Sequence, residues 1–269
     1  MNYLGKFFYL VFWWVGVKFF GRRKPLQSVV FISDKCNLSC KHCSVYNHEN
    51  PITKSFERIG EELKYCYGLG SRFVDFEGGE PFLWRDGDRD VNDLCDLARA
   101  IGFFSCTITT NAQMSFAGAR ADSIWVSMDG VGEYHDRIRG KGAFGRLEKN
   151  VASCGFKELS ANMTINTLNC DSVAAAIEYV KNSPYFKSIS LNFHTPFPGT
   201  EKLALSQEKR EEIVDLICSY KKKKYPIMNS MTGLKYMRRL DFKPCCWMTN
   251  FVFTDGTRRS QCIGEEMGF

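Results

Sequence analysis

Short runs of apolar residues alternate with longer amphipathic stretches along most of this 269-residue chain. The short runs are rich in β-branched and aromatic residues and predict strands at residues 28–33, 72–77, 104–109, 123–128, 160–166 and 187–193. Apolar residues at helical spacing predict helices at residues 54–68, 89–101, 143–153, 171–182 and 206–223, with a short helix near 113–118. This alternation of strands and helices is typical of an α/β fold built on a parallel sheet.

The first segment of the chain departs from this pattern, because residues 3–20 are apolar and aromatic almost throughout. Their uninterrupted apolar run, Phe7 to Val17, is shorter than the roughly 20 residues that a membrane-spanning helix needs. Aromatic residues beside the basic sequence that ends this segment favour a helix lying in the membrane interface. We therefore expect residues 1–24 to form a membrane-associating helix. The alternatives are a helix that covers one end of the fold, a tilted single span and, less favoured, a signal peptide.

Composition narrows the class of protein. With 44% apolar residues the chain can bury a large core, and 12 cysteines in so long a chain fit a reducing compartment better than a disulfide framework. The net charge of +6 is modest, and the basic run Lys221 to Lys224 lacks the interleaved aromatic residues of a nucleic-acid surface. We expect a cytoplasmic protein that lies at the inner face of the cell membrane and binds no nucleic acid.

Three cysteines follow the first predicted strand in a CxxxCxxC spacing: Cys36, Cys40 and Cys43. Three thiolates from one loop can hold an iron–sulfur cluster while one iron stays open for another ligand. A zinc knuckle is the rival interpretation, but it needs a fourth ligand, for which His42 and His48 are weak candidates. The spacing therefore predicts a metal site with an open position.

The segment Cys36 to Cys43, CNLSCKHC, resembles the cluster loop of the radical S-adenosylmethionine (SAM) superfamily, in which His42 occupies the usually aromatic position of CxxxCxΦC. The resemblance implies that Cys36, Cys40 and Cys43 hold a [4Fe-4S] cluster and that SAM binds the fourth iron. It also implies that one electron from a flavodoxin or ferredoxin cleaves SAM to a 5′-deoxyadenosyl radical. It favours a partial (β/α)6 barrel over a flat doubly wound sheet.

A second match follows the second predicted strand, in Glu77-Gly78-Gly79-Glu80-Pro81. Paired glycines allow the backbone to approach a ligand closely, and a carboxylate can accept from an ammonium group. The segment is similar to the GGEP motif by which the superfamily binds the methionine amine. The resemblance implies that role for Gly78, Gly79 and Glu80.

A third match begins at the end of the fourth predicted strand, where Ser127-Met128-Asp129-Gly130 resembles the S-x-D-G segment of the superfamily. Residues 135–140 look like its HDxxRG continuation. The resemblance implies that Ser127 and Asp129 contact SAM through its ribose or carboxylate. It implies that Arg139 pairs with the SAM carboxylate, a role that Arg137 could exchange with it.

Two further strand ends carry polar residues. Asn166 follows the fifth predicted strand, where it could reach the ribose of SAM or serve as an ordinary strand-end amide. His194 follows the sixth strand, and we expect it to be structural. Because ligands of α/β folds bind at the carboxyl ends of the strands, these positions support a single site.

The C-terminal residues 225–269 contain Cys245, Cys246 and Cys262 around a predicted hairpin at residues 251–258. This arrangement is similar to the opening of SPASM or twitch extensions, which implies a second, auxiliary iron–sulfur cluster. It departs from those extensions because no cysteine follows Cys262 in this sequence. Free buried thiols are the alternative. The implied organisation is the N-terminal helix, a radical SAM core at residues 25–224 and this extension.

The function implied is that of a radical SAM enzyme whose deoxyadenosyl radical abstracts hydrogen from a substrate. The apolar N-terminal segment favours a lipid or isoprenoid at the membrane, whereas the SPASM-like cysteines favour the alternative, a peptide or protein. A non-catalytic iron–sulfur or zinc protein, acting as a redox carrier or sensor, is the hypothesis from another class. It would need the cysteines but not Gly78, Gly79 and Glu80.

Overall fold

The structure of the chain is a computed structural model that describes residues 3–43, 50–239 and 246–260. The strands are β1 (Gln27–Ser33), β2 (Phe73–Gly78), β3 (Ser105–Thr110), β4 (Ser123–Ser127), β5 (Leu159–Ile165), β6 (Phe186–Phe193), β7 (Thr249–Val252) and β8 (Arg258–Arg259). The α-helices are α1 (Tyr3–Phe20), α2 (Phe56–Leu69), α3 (Val91–Ile101), α4 (Glu133–Arg139), α5 (Ala143–Ser153), α6 (Val173–Asn182), α7 (Gln207–Lys222) and α8 (Met231–Arg239).

The eight described strands form one sheet in the order β6-β5-β4-β3-β2-β1-β7-β8. All neighbouring strands are parallel except the last pair, β7 and β8. Helices connect the parallel strands of the core except β3 and β4, which are joined by a loop at residues 111–122. The predicted α/β class and the partial (β/α)6 barrel are confirmed, and the ends of the six predicted strands differ from the observed ends by one residue at most.

One predicted element is wrong, because the short helix near residues 113–118 does not form. Ala112 and Gly118 both have a positive φ, 54° and 76°, which lies outside the helical region. Asn111 also accepts a hydrogen bond from the backbone N–H of Gln113, which stabilises a turn instead of a helix. Pattern analysis missed α4 and α8, which are both short.

The two faces of the sheet have different surroundings. On β3, Cys106 and Ile108 are fully buried in the core between the sheet and the helices. Thr107 and Thr109 alternate with them, are only partly buried and point to the opposite, inner face. We call the space enclosed by this inner face the lumen.

The segment after α7 closes the free edge of the sheet. Ile227 pairs in parallel with Ile189 of β6, and the Asn229 amide donates to and accepts from the backbone of Leu191 over 2.8 and 2.9 Å. The predicted hairpin is present as β7 and β8, but β7 pairs in parallel with β1. Residues beyond the predicted boundary at 224, namely Ile227, β7 and β8, therefore pair in the same sheet as the core.

The N-terminal helix α1 packs at the end of the sheet where the strands begin. The Lys6 ammonium donates to the carbonyl of Phe104 over 2.9 Å, just before β3. The Tyr9 hydroxyl donates to the carbonyl of Gly70 over 2.6 Å, and the Trp13 indole donates to the carbonyl of Lys24 over 3.0 Å, before β2 and β1 respectively. One face of α1 therefore covers this end of the fold, which was one of the alternatives expected for residues 1–24.

The other face of α1 is apolar and points to solvent. Phe12, Phe19 and Phe20 are about 70% exposed, at 71%, 67% and 71%, and the remaining exposed apolar residues are Leu4, Phe7, Phe8, Val11 and Trp14. Scattered exposed apolar residues are ordinary, but a contiguous aromatic face indicates an interaction surface. No helix within the described ranges is long and apolar enough to cross a bilayer.

Candidate active site

A cavity of about 280 Å³ lies at the carboxyl ends of the strands, where the sequence places its candidate residues. It is bounded by the loop that follows β1 (residues 34–43), which we call the cysteine loop. The turn at the end of β2 (Gly78 to Pro81), which we call the glycine turn, and the carboxyl ends of β3, β4 and β5 complete its boundary. The lining residues are Cys36, Cys40, His42, Cys43, Glu77, Gly78, Gly79, Thr109, Thr110, Asn111, Ser127, Arg139, Asn162 and Thr164.

The cysteine loop brings its three thiols to one side of this cavity. The backbone N–H of Cys43 donates to the carbonyl of Cys40 over 3.1 Å, which makes a tight turn between two of them. The amide of Asn111, at the end of β3, approaches the Cys36 sulfur at 3.7 Å. Burial raises the pKa of Cys40 to about 11 and also raises that of Cys36, so both are neutral thiols before a metal displaces their protons.

Three thiols from one loop suit a four-iron cluster. In such a cluster each thiolate binds a different iron, so the sulfurs need not converge on one point. Among the described residues, no three His, Cys, Asp or Glu side chains are close enough to hold a single metal ion. His48, a candidate ligand of the zinc knuckle, lies outside the described residues.

The glycine turn holds the cysteine loop by backbone contacts. The N–H of Gly79 donates to the carbonyl of Ser33 over 2.7 Å, and the N–H of Glu80 donates to the carbonyl of Lys35 over 2.8 Å. A Cβ added at Gly78 would lie 2.2 Å from the Ser33 oxygen, and one at Gly79 would lie 2.2 Å from the Lys35 oxygen. The paired glycines thus allow close approach of the cysteine loop, a reason that the sequence did not reveal.

The carboxylate of Glu80 is hydrogen-bonded to groups of the protein itself. Its side chain is buried, at 1% exposure, and its carboxylate accepts from the Thr110 hydroxyl and the Asn111 N–H, both over 2.8 Å. It also accepts from the N–H of Phe82 over 3.2 Å. The carboxylate joins the ends of β2 and β3, and its expected contact with the methionine amine stays a prediction.

Asp129 and Arg139 form a buried ion pair below the cysteine loop. Arg139 Nε donates to Asp129 over 2.6 Å, and both side chains are less than 10% exposed, at 9% and 1%. The other oxygen of Asp129 accepts from the N–H of Thr164 over 2.9 Å, and His42 Nε2 lies 3.6 Å from Asp129. Asp129 therefore positions Arg139, which lines the cavity, and does not line it itself.

The charges of this group follow from its surroundings. Burial alone would raise the pKa of Asp129, but Arg139 and the neighbouring hydrogen bonds outweigh it and lower that pKa to about 2. Burial lowers the pKa of His42 and lowers that of His135 to about 4. His135 Nδ1 accepts from the N–H of Asp129 over 3.1 Å. At neutral pH Asp129 is thus ionised and both histidines are neutral.

Of the remaining predicted site residues, some line the cavity and others do not. Ser127 lines the cavity, as expected. Asn166 does not, because it is fully buried and accepts from the N–H of Leu168 over 2.9 Å in the loop after β5. His194 is buried and bonds the Thr200 hydroxyl over 3.0 Å, which agrees with the expected structural role.

The auxiliary cluster predicted for the C-terminal cysteines cannot be placed. Cys245 and Cys262 lie outside the described residues, as does the side chain of Cys246. The adjacent hairpin nevertheless contacts the start of the cysteine loop, because the Thr254 hydroxyl donates to Asp34 over 2.7 Å. The auxiliary cluster stays a prediction.

Sequence analysis missed the polar wall of the lumen. The Thr109 hydroxyl donates to Asp75 over 3.2 Å, and the Asn192 amide donates to Asn162 over 2.9 Å across β6 and β5. Deeper in the lumen, hydroxyl groups of β5 and β6 bond to each other. The signal was available, because strands covered on both faces normally have near-continuous apolar runs, whereas here every second residue of β3, β5 and β6 is polar over several positions.

Two carboxyl groups of β2, Asp75 and Glu77, lie in this wall. Burial raises the pKa of Glu77 to about 7, and burial together with the neighbouring Glu77 raises the pKa of Asp75 well above its usual range. Asp75 is 8% exposed, and Glu77 lines the cavity. Near neutral pH the pair therefore retains a proton that a cationic group could displace.

The wall of the lumen beside this carboxyl pair is aromatic, since Phe31 of β1 is the register partner of Glu77. The rings of Phe31 on β1 and Phe253 after β7 stack with centroids 5.1 Å apart and planes 10° apart. Phe251 of β7 stacks on Phe253 at 6.4 Å. The lumen thus presents acidic groups on β2 and flat apolar rings on, or just after, the neighbouring strands β1 and β7.

Comparison with known proteins agrees with this geometry. Residues 30–165 match the family described as the Radical SAM superfamily. A curated relative from Methanocella arvoryzae, named "Probable GTP 3',8-cyclase", is 25% identical over 250 residues, which cover 86% of this chain and 78% of the relative.

Solved structures share the fold. SuiB of Streptococcus suis bound to S-adenosylmethionine superposes with a TM-score of 0.71 at 16% identity, over 90% of this chain and 61% of SuiB. SuiB bound to its precursor peptide SuiA gives a TM-score of 0.70 at 16% identity, over 90% and 60%. This chain therefore spans about three fifths of SuiB, and at such identity the likeness shows the fold alone.

We expect Gly79→Ala to abolish stable cluster loading, because the new methyl group would meet the Lys35 carbonyl and separate the two loops, at a cost of more than about 2 kcal/mol. Gly145→Ala is the matched control, since nothing lies within 4 Å of a Cβ at that exposed helical position. Iron content and the iron–sulfur absorbance after anaerobic reconstitution measure the effect. Equal iron content in the two variants would contradict the assigned role of Gly79.

We expect Glu77→Gln to stabilise the reconstituted protein increasingly as pH rises from about 5 to 8. A carboxyl group whose pKa is about 7 when folded binds its proton more tightly in the folded state, so folding loses stability as pH rises from the unfolded pKa through 7. Glutamine does not titrate, and its advantage should reach at most about 3 kcal/mol. Thermal unfolding at several pH values measures this, and a pH-independent difference would count against it.

Proposed function

This chain belongs to the radical SAM superfamily, and from that premise we propose that it acts on a polar substrate whose amine or other cationic N–H group binds in the lumen. When bound, the [4Fe-4S] cluster and SAM supply a 5′-deoxyadenosyl radical through one-electron reductive cleavage of SAM. Enzymes of this superfamily need a reductant, and a flavodoxin or ferredoxin is the donor we propose. The residues of this chain bind, orient and shield the reacting groups.

The proposed cofactor contacts use the lining of the cavity. Cys36, Cys40 and Cys43 are the proposed cluster ligands, since all three line it. The glycine turn and Ser127 face the same space, and Arg139 offers a guanidinium to the SAM carboxylate. Asp129 orients that guanidinium through their 2.6 Å hydrogen bond.

The polar wall of the lumen is the observation that carries the proposed substrate class. A lipid or isoprenoid chain would need an apolar channel, and burying the hydroxyl, amide and carboxyl groups of Thr109, Asn162 and Asp75 against it would cost their hydration. A polar substrate can replace that hydration with hydrogen bonds. The lumen therefore favours a polar substrate over the lipid that the N-terminal segment suggested.

The carboxyl pair narrows this class to N–H donors. Asp75 and Glu77 offer acceptor oxygens beside the cavity, and a cationic amine or guanidinium would stabilise both in their ionised forms. The stacked rings of Phe31 and Phe253 provide a surface for the apolar part of such a molecule. An amino-acid side chain of a peptide or protein has both properties, which supports the peptide class over the lipid class.

Cyclisation of GTP is a second candidate, because the relative that covers 86% of this chain is named as a GTP 3',8-cyclase. The carboxyl pair could accept from the N–H groups of a guanine base. The triphosphate, however, would need several cations. Arg139 is the one guanidinium or ammonium among the residues lining the described cavity, and its proposed partner is the SAM carboxylate. The charge of the lumen thus favours the amine.

We expect anaerobic incubation with SAM, dithionite and deuterium-labelled lysine- or arginine-containing peptides to transfer deuterium into 5′-deoxyadenosine. Glu77→Gln should raise the KM for such a peptide about tenfold, since a charge-assisted hydrogen bond is lost. It should also remove the fall in KM as pH rises through about 7, where Glu77 ionises.

Glu61→Gln is the control for that experiment, because this glutamate is exposed on α2 and its substitution should leave KM unchanged. Deuterium transfer from labelled GTP would establish the second candidate instead. Transfer from a labelled isoprenoid, with none from either polar substrate, would show that the proposed class is wrong.

We also propose that α1 binds the surface of an anionic membrane at the cytoplasmic side. Its outward face is aromatic. The exposed cation Lys18 lies in its last turn, and the exposed cations Arg22, Arg23 and Lys24 follow the helix. Apolar burial in the headgroup region and attraction to anionic lipid act together in such helices. The docked face of α1 would hold the barrel against the bilayer.

We expect Phe12→Gln/Phe19→Gln to weaken binding to vesicles of phosphatidylglycerol and phosphatidylcholine at least about tenfold for each phenylalanine. Both side chains are mostly exposed, so the fold should be unaffected. Ile52→Gln is the control, since Ile52 is 43% exposed beside the cysteine loop. Vesicle cosedimentation measures binding, and equal binding of all three proteins would refute the membrane role of α1.

A further inference from the structure

The surface of α1 and the candidate active site lie at opposite ends of the sheet. The contacts of α1 reach Gly70, three residues before β2, and Phe104, directly before β3. The cavity is lined by Gly78 and Asn111, at or just beyond the last residues of the same strands. The ends of a six-residue strand such as β2 are roughly 20 Å apart. A membrane bound by α1 would therefore lie on the far side of the barrel from the cavity.

Exposed lysines collect at the same end as α1. Residues 226–229 follow α7 and run parallel to β6 through the pairing of Ile227 with Ile189, so the end of α7 lies where β6 begins. Lys222, Lys223 and Lys224 are exposed there. Lys181 near the end of α6 and Lys157 just before β5 are exposed at this end too.

Stabilisation of helix C-termini does not account for all of these lysines. Cations near a helix C-terminus are favoured by its dipole, which accounts for Lys222 in the last turn of α7. Lys224 lies beyond that helix with a φ of 63°, and Lys157 precedes a strand, so neither is placed by a helix end. The nearby acid Glu158 is paired with Lys187 over 3.3 Å. A second acid nearby, Glu178, accepts from the Tyr225 hydroxyl over 2.9 Å. The five exposed lysines outnumber these two acids.

We infer that the strand-starting end of the barrel is a two-part surface for an anionic bilayer, in which α1 inserts its aromatic face and the lysines around Lys222 to Lys224 contact lipid headgroups. This inference rests on the proposed membrane binding of α1. Two separated contacts fix the tilt of the barrel, whereas one helix leaves it free to turn. The cavity then opens to the aqueous phase, from which a polar substrate enters.

The charge contact is tested in the full-length, cluster-loaded protein. Lys223→Gln/Lys224→Gln should weaken binding to equimolar phosphatidylglycerol and phosphatidylcholine vesicles about fivefold for each lysine, and the loss should shrink at high salt. Lys141→Gln/Lys202→Gln removes the same charge from exposed positions at the opposite end, and should change binding less than twofold.

Orientation is measured by hydrogen–deuterium exchange of the unsubstituted protein on the same vesicles. We expect protection in residues 3–20 and 221–228, and none in residues 137–142 or 199–204 beside the cavity. Equal effects of the two double variants, or protection beside the cavity, would overturn the two-part surface while leaving binding by α1 intact. Absence of any vesicle binding, with or without Phe12 and Phe19, would refute both proposals.

Discussion

Two backbone hydrogen bonds between the cysteine loop and the glycine turn are the constraint on which the rest of the site depends. They join Gly79 to Ser33 and Glu80 to Lys35. The carbonyls of Ser33 and Lys35 come so close that neither Gly78 nor Gly79 tolerates a Cβ. Buried Glu80 then fastens the same turn to the end of β3. The three cysteines are thus positioned by the ends of neighbouring strands, so a rigid sheet, and not the loop alone, determines where a cluster can form.

The site contains two groups of ionisable side chains whose charges are balanced in different ways. Near the cysteines, Asp129 and Arg139 compensate each other's charge, so a guanidinium can face the cavity without a large cost of burial. On β2, Asp75 and Glu77 have no comparable cation among the residues that the structure describes, and they keep a proton instead. This difference is why the lumen suits a substrate that brings its own positive charge, and why a triphosphate fits it poorly.

We propose different functions for the two ends of the barrel. The strand-ending side carries the cavity, as parallel α/β folds require. The strand-starting side carries an aromatic helix and a group of lysines. Membrane attachment and a polar substrate are therefore compatible, because attachment localises the enzyme without supplying the substrate. We propose that the apolar segment that first favoured a lipid substrate is an anchor instead.

The sequence by itself determined the strand order along the chain, the α/β class, the cysteine loop and the glycine turn, because these depend on local periodicity and on short motifs. It also placed Ser127 and Arg139 at the cavity. It could not assign Glu80 and Asp129 to their protein partners, place Asn166 away from the cavity or bring Asp75 and Glu77 into a polar lumen with Asn162 and Asn192. Nor could it decide which face of α1 packs on the barrel. These features depend on contacts between residues far apart in the chain, which only the pairing and curvature of the sheet bring together.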